Sequence, residues 1–181
     1  VLFVGGAGVG FENCLGWCRE AQYRFGRRRK RDGRFGGAEN ASVEVLGLVL
    51  GDKYSEKSLE VYITHAAPNT KSNVNVRAVL KDRSRFDFKG NVKIENGAKG
   101  ADAYLRSDVL LFDEAKMGDD TPALEILEKD VKAGHAATVG KVDEAMLFYL
   151  MSRGISRRQA EKLLIEGFIS PVRDLVLNVK S

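Results

Sequence analysis

Cysteine is nearly missing from this chain, with Cys14 and Cys18 the only thiols among 181 residues. One close pair cannot make the disulfide framework of a small secreted domain. Four residues apart, the two could share a helical face as metal ligands, but a zinc site needs four donors and no second pair lies near them. Histidine is equally scarce, with only His65 and His135. No stretch approaches the run of about 20 apolar residues that spans a bilayer, which argues against membrane insertion. The apolar opening VLFVGGAGVG has no basic region before it and no small-residue cleavage pattern after it, so a secretory signal is not expected and cytoplasmic is the default location. Phosphate loops are lacking too. There is no GxxxxGK[ST], and Gly6 and Gly8 are followed by Phe11 where a dinucleotide fingerprint needs its third glycine.

Charge of one sign is confined to one end. Residues 1–40 hold eight Lys or Arg against four acids, whereas the remainder is balanced at 21 of each, so the whole net charge of +4 is N-terminal. The same stretch holds nine of the 19 glycines, both cysteines and the single Trp. So sharp a shift marks a boundary. RFGRRRKRDGRFGG, with Arg24 to Arg34, interleaves Arg with Phe and Gly as flexible RNA-binding arms do, although charge alone gives only salt-sensitive, sequence-blind attraction. A solvated tail and an out-of-frame translation are the competing readings of this segment.

From Ala41 the texture is that of strands. SVEVLGLVL, LEVYITHA, VNVRAVL, SRFDFKG, NVKIE, AYL, DVLLFD and LEILE are short and β-branched, with Gly, Asn, Asp or Pro between them. Such spacing suits a sandwich or barrel. The connections show no two-residue hairpin turn, and stacked parallel rungs would account for that equally well.

Helical signals begin at Asp143, a plausible N-cap, after which Met146, Leu147 and Leu150 recur at helical spacing and Gly154 supplies a left-handed stop. Ser156 and Gln159 form a capping box ahead of Ala160, Leu163, Leu164 and Phe168, and Gly167 is expected to fray or end this second helix. His135 lies in GHAATVG, read as a turn whose small residues allow close approach to the ring. The acidic DEAKMGDD reads as a solvated loop, not as the paired carboxylates of a sugar-cleaving site.

Several segments in order, THAAPNTKS (64–72), FKGNVKIENGAKGADAYLRSDVLLFD (88–113), P-x-L-E-I (122–126) and DVKAGHAATVGKVDEAMLFYLMSRGIS (130–156), resemble the SufB/SufD family of the SUF iron–sulfur cluster assembly machinery. The resemblance implies a mainly β chain: a right-handed parallel β-helix core followed by a small C-terminal α-helical domain. It implies a scaffold subunit without catalysis of its own, paired with a SufB-type or SufD-type partner as hetero- or homodimer. Its C-terminal helices would dock a SufC-type ABC ATPase, and an iron–sulfur cluster would form transiently at the dimer interface. Where SufB has the cluster-building Cys-Asp pair this chain has Ser107-Asp108, and a serine hydroxyl offers no soft thiolate to iron. Where SufD has a histidine in a CSHGATVG-type turn, this chain keeps His135 in AGHAATVG, with Ala133 where SufD often has Cys. The chain therefore looks SufD-like.

The expectations are a segment 1–40 in place of the family's N-terminal region, a β core over 41–139 and a helical domain over 140–181. His135 and Ser107 would sit at the cluster-assembly interface, with His135 a transient iron ligand. Phe148, Tyr149, Leu150, Arg153, Gly154 and Ile155 would meet the ATPase, since aromatic and Arg anchors suit interfaces. Alternatively the helices only fold back to cap the open end of the β region. His65, beside the turn formers Pro68 and Asn69, is read as structural. A basic-arm nucleic-acid-binding protein and a degenerate family remnant are the rival functions.

Overall fold

The computed structural model describes residues 39–178 and, ahead of them, three short strands: β1 (Leu2–Gly6), β2 (Ala21–Phe25) and β3 (Lys30–Arg31). Cys14, Cys18 and most of the Gly/Arg-rich segment lie outside the described residues. The rest comprises β4 (Ser42–Gly51), β5 (Glu56–His65), β6 (Lys71–Leu80), β7 (Arg85–Ile94), β8 (Asp102–Leu111), β9 (Lys116–Ile126) and β10 (Lys132–Lys141), then α1 (Glu144–Ser152) and α2 (Arg157–Asn178).

The strands wind into a parallel β-helix of about three turns. One sheet has the order β1-β4-β6-β8-β10 and the other β3-β2-β5-β7-β9, so successive strands alternate between two facing sheets. Strands β4, β6, β8 and β10 begin 29, 31 and 30 residues apart, and each pairs in parallel with the strand one turn away. Stacked rungs, not a sandwich of hairpins, thus explain the absence of hairpin turns. SRFDFKG and NVKIE are one strand, β7, and AYL and DVLLFD are one strand, β8. At the other end β1 and β2 pair antiparallel with β4 and β5, giving the first turn's edges a partner.

Corner residues make the winding possible. Lys53, Asp82 and Asp113 occupy equivalent corners with φ of 55°, 58° and 52°, and Asn40, Asn69 and Gly100 occupy the other set at 63°, 56° and 70°. Asn, Asp and Gly enter this left-handed region at the least steric cost. The corners also stack: the Asp82 carboxylate accepts from the Lys53 backbone N–H at 2.7 Å, and Asp113 accepts from that of Asp82 at 3.1 Å.

Between the sheets, side chains line up in registered columns. Val45, Val74 and Leu105 form one column; Leu59 and Phe88, and Ile63 and Val92, form others opposite. Gly90 is required where Leu105 crosses the interior, because a Cβ there would lie 2.4 Å from Leu105 Cδ1. His65 belongs to this packing. It is buried, with Nδ1 2.8 Å from Thr70 Oγ1 and Nε2 2.8 Å from Ser72 Oγ, and burial lowers its pKa against the opposing pull of Asp102. A satisfied core histidine is what the turn-former argument expected.

Helix α1 begins on Asp143, whose carboxylate accepts from the Ala145 N–H at 2.8 Å, and the chain leaves it through Gly154 at φ 85°. Gln159 Oε1 accepts from the Ser156 N–H at 3.1 Å and Ser156 Oγ accepts from the Gln159 N–H at 3.4 Å, the two halves of the capping box. Gly167 does not end α2, which continues to Asn178 through Pro171. Proline removes the N–H that would bond the Gly167 carbonyl, and the Ser170 hydroxyl donates to that carbonyl instead, at 3.1 Å. Tertiary burial of Val172 then holds the far half of the helix.

The helices do not simply fold back over the open end. Helix α2 lies against β4 and β6, across the outer face of the first sheet. Leu46 and Val79 alternate outward yet are buried, and with Leu147, Ala160 and Val172 they lie outside the luminal core. The last turn remains open, with Ile126, Leu127 and Val139 exposed on and beside its edge strands.

Candidate functional site

GHAATVG is not a turn: it is the middle of β10, the last strand of its sheet. His135 is the register partner of Leu105, and Ala137 that of Ser107. Partners in a parallel ladder share a face, so His135 continues the luminal column of Val45, Val74 and Leu105. Among the described residues no turn stacks on β10 on that side, and the imidazole is exposed. His135 and Ser107 are brought onto adjacent strands two positions apart, about 8 Å between Cα atoms from the ordinary strand spacings.

Ser107 is fully buried on the luminal face of β8, and its hydroxyl reaches both carboxylate oxygens of Asp120 at 3.1 Å. The pattern reading placed Asp120 in a solvated loop, and here it is corrected. Lys116–Ile126 is a strand with a bulge: Phe86 pairs with Met117, but Phe88 pairs with Asp120, so two residues of β9 oppose one of β7. Gly118 permits this, since a Cβ there would lie 1.9 Å from Asp87 Oδ1, and the Asp119 N–H donates to that same oxygen at 2.9 Å. The extra residue turns Asp120, not Asp119, into the lumen. Burial raises the Asp120 pKa, and the Ser107 hydrogen bond opposes this only in part. Only an alternation error between Met117 and Pro122 hinted at the bulge, and its partner strand had to be known to interpret it.

The second candidate region is the helical hairpin. Phe148 is 73% exposed and Tyr149 53%, and Met146, Met151, Arg153, Gly154 and Leu163 are also exposed, while Leu150 and Ile155 are half-buried. Met146 is therefore not on the packed face of α1, where Leu147 is buried and Leu150 half-buried. The Arg153 guanidinium sits 5.1 Å from the Tyr149 ring. Arg157 bridges Glu144 at 3.2 Å and Glu161 at 3.1 Å, tying the two helices, and Lys81, the residue after β6, holds Glu161 at 2.7 Å. Burial would raise the Glu161 pKa, but these two cations overcome it and lower the value.

Among the described residues no three of His, Cys, Asp and Glu are grouped to hold a metal ion. Nor is any helix among them long and apolar enough to cross a membrane. In the basic segment, Arg24 and Phe25 of β2 and Lys30 and Arg31 of β3 occur in paired strands, and its other residues lie outside the described part.

Residues 35–168 match the model described as SUF system FeS cluster assembly, SufBD core domain. The chain belongs to the SufBD core family. It is 42% identical over 125 residues to the iron–sulfur cluster assembly protein SufD of Bacillus subtilis, covering 69% of this chain and 29% of that protein. It is 35% identical over 133 residues to SufB of the same organism, covering 74% and 29%. An iron–sulfur cluster assembly SufBD family protein of Mycobacterium tuberculosis is 37% identical over 134 residues, which is 74% of this chain but 16% of that one. The chain thus spans less than a third of the length of these relatives. The SufBD core match begins at residue 35, ahead of β4 in the sequence, and ends at Phe168 in α2, so it takes in the strands β4 to β10 and the hairpin together.

Proposed function

We propose that this chain is a non-enzymatic scaffold subunit of SUF iron–sulfur cluster assembly, SufD-like in its site residues. Membership of the SufBD core family supports the assembly role. The observation that carries the finer reading is the open last turn, where an unpaired edge strand bears the exposed His135 beside Ser107 and Asp120. An edge strand with exposed apolar neighbours is a template for pairing with another subunit's strand. One imidazole cannot hold a cluster alone, and Ser107 brings no thiolate. The remaining ligands would therefore come from across the interface, from a cysteine-bearing SufB-type partner. The cluster itself is cargo, bound transiently.

The hairpin around Gly154 suits the second partner, a SufC-type ABC ATPase. Phe148, Tyr149 and Arg153 are exposed and large, and Arg153 lies over the Tyr149 ring, the composition of interface anchors.

The test is native mass spectrometry of the chain co-expressed with the SufB-type and SufC-type proteins of its genome. Removing the helices would uncover Leu46 and Val79, so the informative variants are on the surface. Phe148→Ser with Tyr149→Ser should lose the ATPase and keep the scaffold partner, and His135→Ala should keep both but fail to yield the cluster absorbance. An intact chain that joins neither protein would defeat the reading.

A further inference from the structure

A line of contacts runs from helix α2 through the wall of the β-helix to its interior. On α2, the Phe168 ring lies 5.2 Å from the Arg77 guanidinium, and the Phe168 carbonyl accepts from Arg77 Nη1. Arg77 Nη2 is 3.6 Å from Asp108 Oδ2, and the two are register partners on β6 and β8. Asp108 is followed inward by its chain neighbour Ser107, whose side chain alternates to the luminal face and holds Asp120. The outer end lies on the helix that follows the proposed docking hairpin, and the inner end lies at the proposed assembly site.

This line is under-bonded at its centre. Arg77 Nε and Asp108 Oδ1 are both buried, in side chains only 15% and 6% exposed, and neither has a hydrogen-bond partner among the described residues. Two unsatisfied groups of opposite kind, side by side out of water, are costly to leave apart. What keeps them apart is the other use of Arg77, whose guanidinium is turned toward Phe168, while Arg106 Nε occupies Asp108 Oδ2 at 2.8 Å. A planar guanidinium released from Phe168 can meet a carboxylate with two parallel N–H donors.

We propose that Arg77 is a two-position latch coupling the seating of α2 to strand β8 at Ser107. With α2 seated, Arg77 is spent on the Phe168 carbonyl and ring, and its contact with Asp108 is long. With α2 lifted, Arg77 Nε and Nη2 close onto both Asp108 oxygens, tightening the side-chain pairing across β6 and β8 next to the proposed assembly site. The missing bonds of the seated state oppose the Phe168 contacts, so each arrangement satisfies groups that the other leaves unpaired. This rests on the scaffold reading for its biological use, since an ATPase pulling on the hairpin would supply the lift. The latch itself is a property of the chain alone.

The experiment is amide hydrogen exchange of the 181-residue chain, read by mass spectrometry. Phe168→Leu keeps apolar bulk but removes the ring, and Asp108→Asn removes one half of the closed pair. Coupling between sites is reciprocal. Phe168→Leu should therefore change exchange across β8 about fivefold, and Asp108→Asn should change exchange across α2 by a similar factor. In an Arg77→Met background both cross-effects should vanish. Exchange in β5 and β7 reports whether each variant is folded, and if Asp108→Asn unfolds them the Phe168→Leu arm decides by itself. Cross-effects that are absent, or that persist without Arg77, overturn the latch. Failure of the chain to bind an ATPase would instead defeat the docking reading while leaving these exchange results standing.

Discussion

Ser107 on β8 and Asp120 on β9 meet across the lumen of the last turn, hydroxyl to carboxylate at 3.1 Å, one of the few polar contacts in an otherwise apolar interior. Its geometry depends on the Gly118–Asp119 bulge, which selects the aspartate that faces inward. Bulges recur where a strand must re-aim one side chain near a site.

Asp120 has a raised pKa, so the folded state holds its proton more tightly than the unfolded chain. Its contribution is most favourable below the ordinary aspartate value of 3.8 and is lost as pH rises through the folded value. Asp120→Asn keeps an acceptor for Ser107 and cannot ionise. The variant should melt higher at pH 7, by about 1–3 °C, with the gain fading as pH falls toward 4. Thermal melts across that range check it.

His65 has the opposite sign. Its folded pKa is below 6.5, so the unfolded chain binds the proton better, and the stability it supplies is complete above 6.5 and lost as pH falls through the folded value. Urea melts of the wild type should show stability declining below pH 6.5, and His65→Gln should remove that component. The variant should also lose about 1–3 kcal/mol at pH 7, because the Thr70 and Ser72 hydroxyls lose their buried partner.

Leu105 fills space that Gly90 leaves open. Leu105→Ala should cost about 2–5 kcal/mol by opening a cavity. Gly90→Ala should cost about 1–3 kcal/mol by crowding. Together they should cost less than their sum by about 0.5–3 kcal/mol, since the new methyl enters the new cavity. Denaturant melts of the three variants close the cycle, and strict additivity would contradict the packing.

At the corners, Asn69 is left-handed at φ 56° and its Oδ1 would lie 2.5 Å from a Cβ on Gly100. Asn69→Ala should cost about 1–2 kcal/mol, from the left-handed backbone strain, and Asn69→Gly should cost less. Gly100→Ala should cost more than Asn69→Ala, because it adds that clash to the same strain.

How much of this was legible varied with the range of the interaction. Asp143 was readable as a cap because it serves an N–H two residues on, and Ser156 with Gln159 because they are three apart. His65 could be judged structural from its turn neighbours. His135 was singled out, but its strand was mistaken for a turn, since small residues in GHAATVG resemble a turn until β8 is known to pair with them. Gly167 looked like a stop because nothing local shows that Val172 will be buried.

The sequence alone determined the β character, the Gly, Asn, Asp and Pro breaks between strands, and the N-terminal caps of both helices. These follow from backbone sterics and hydrogen bonds within a few residues. Tertiary structure alone decided that strands 29 to 31 residues apart would stack, that a bulge would turn Asp120 toward Ser107, and that α2 would cross the outer face of β4 and β6. Each of those depends on which distant strand supplies the partner for a buried group, and a polar or apolar side chain carries no mark of that partner until the chain has closed on it.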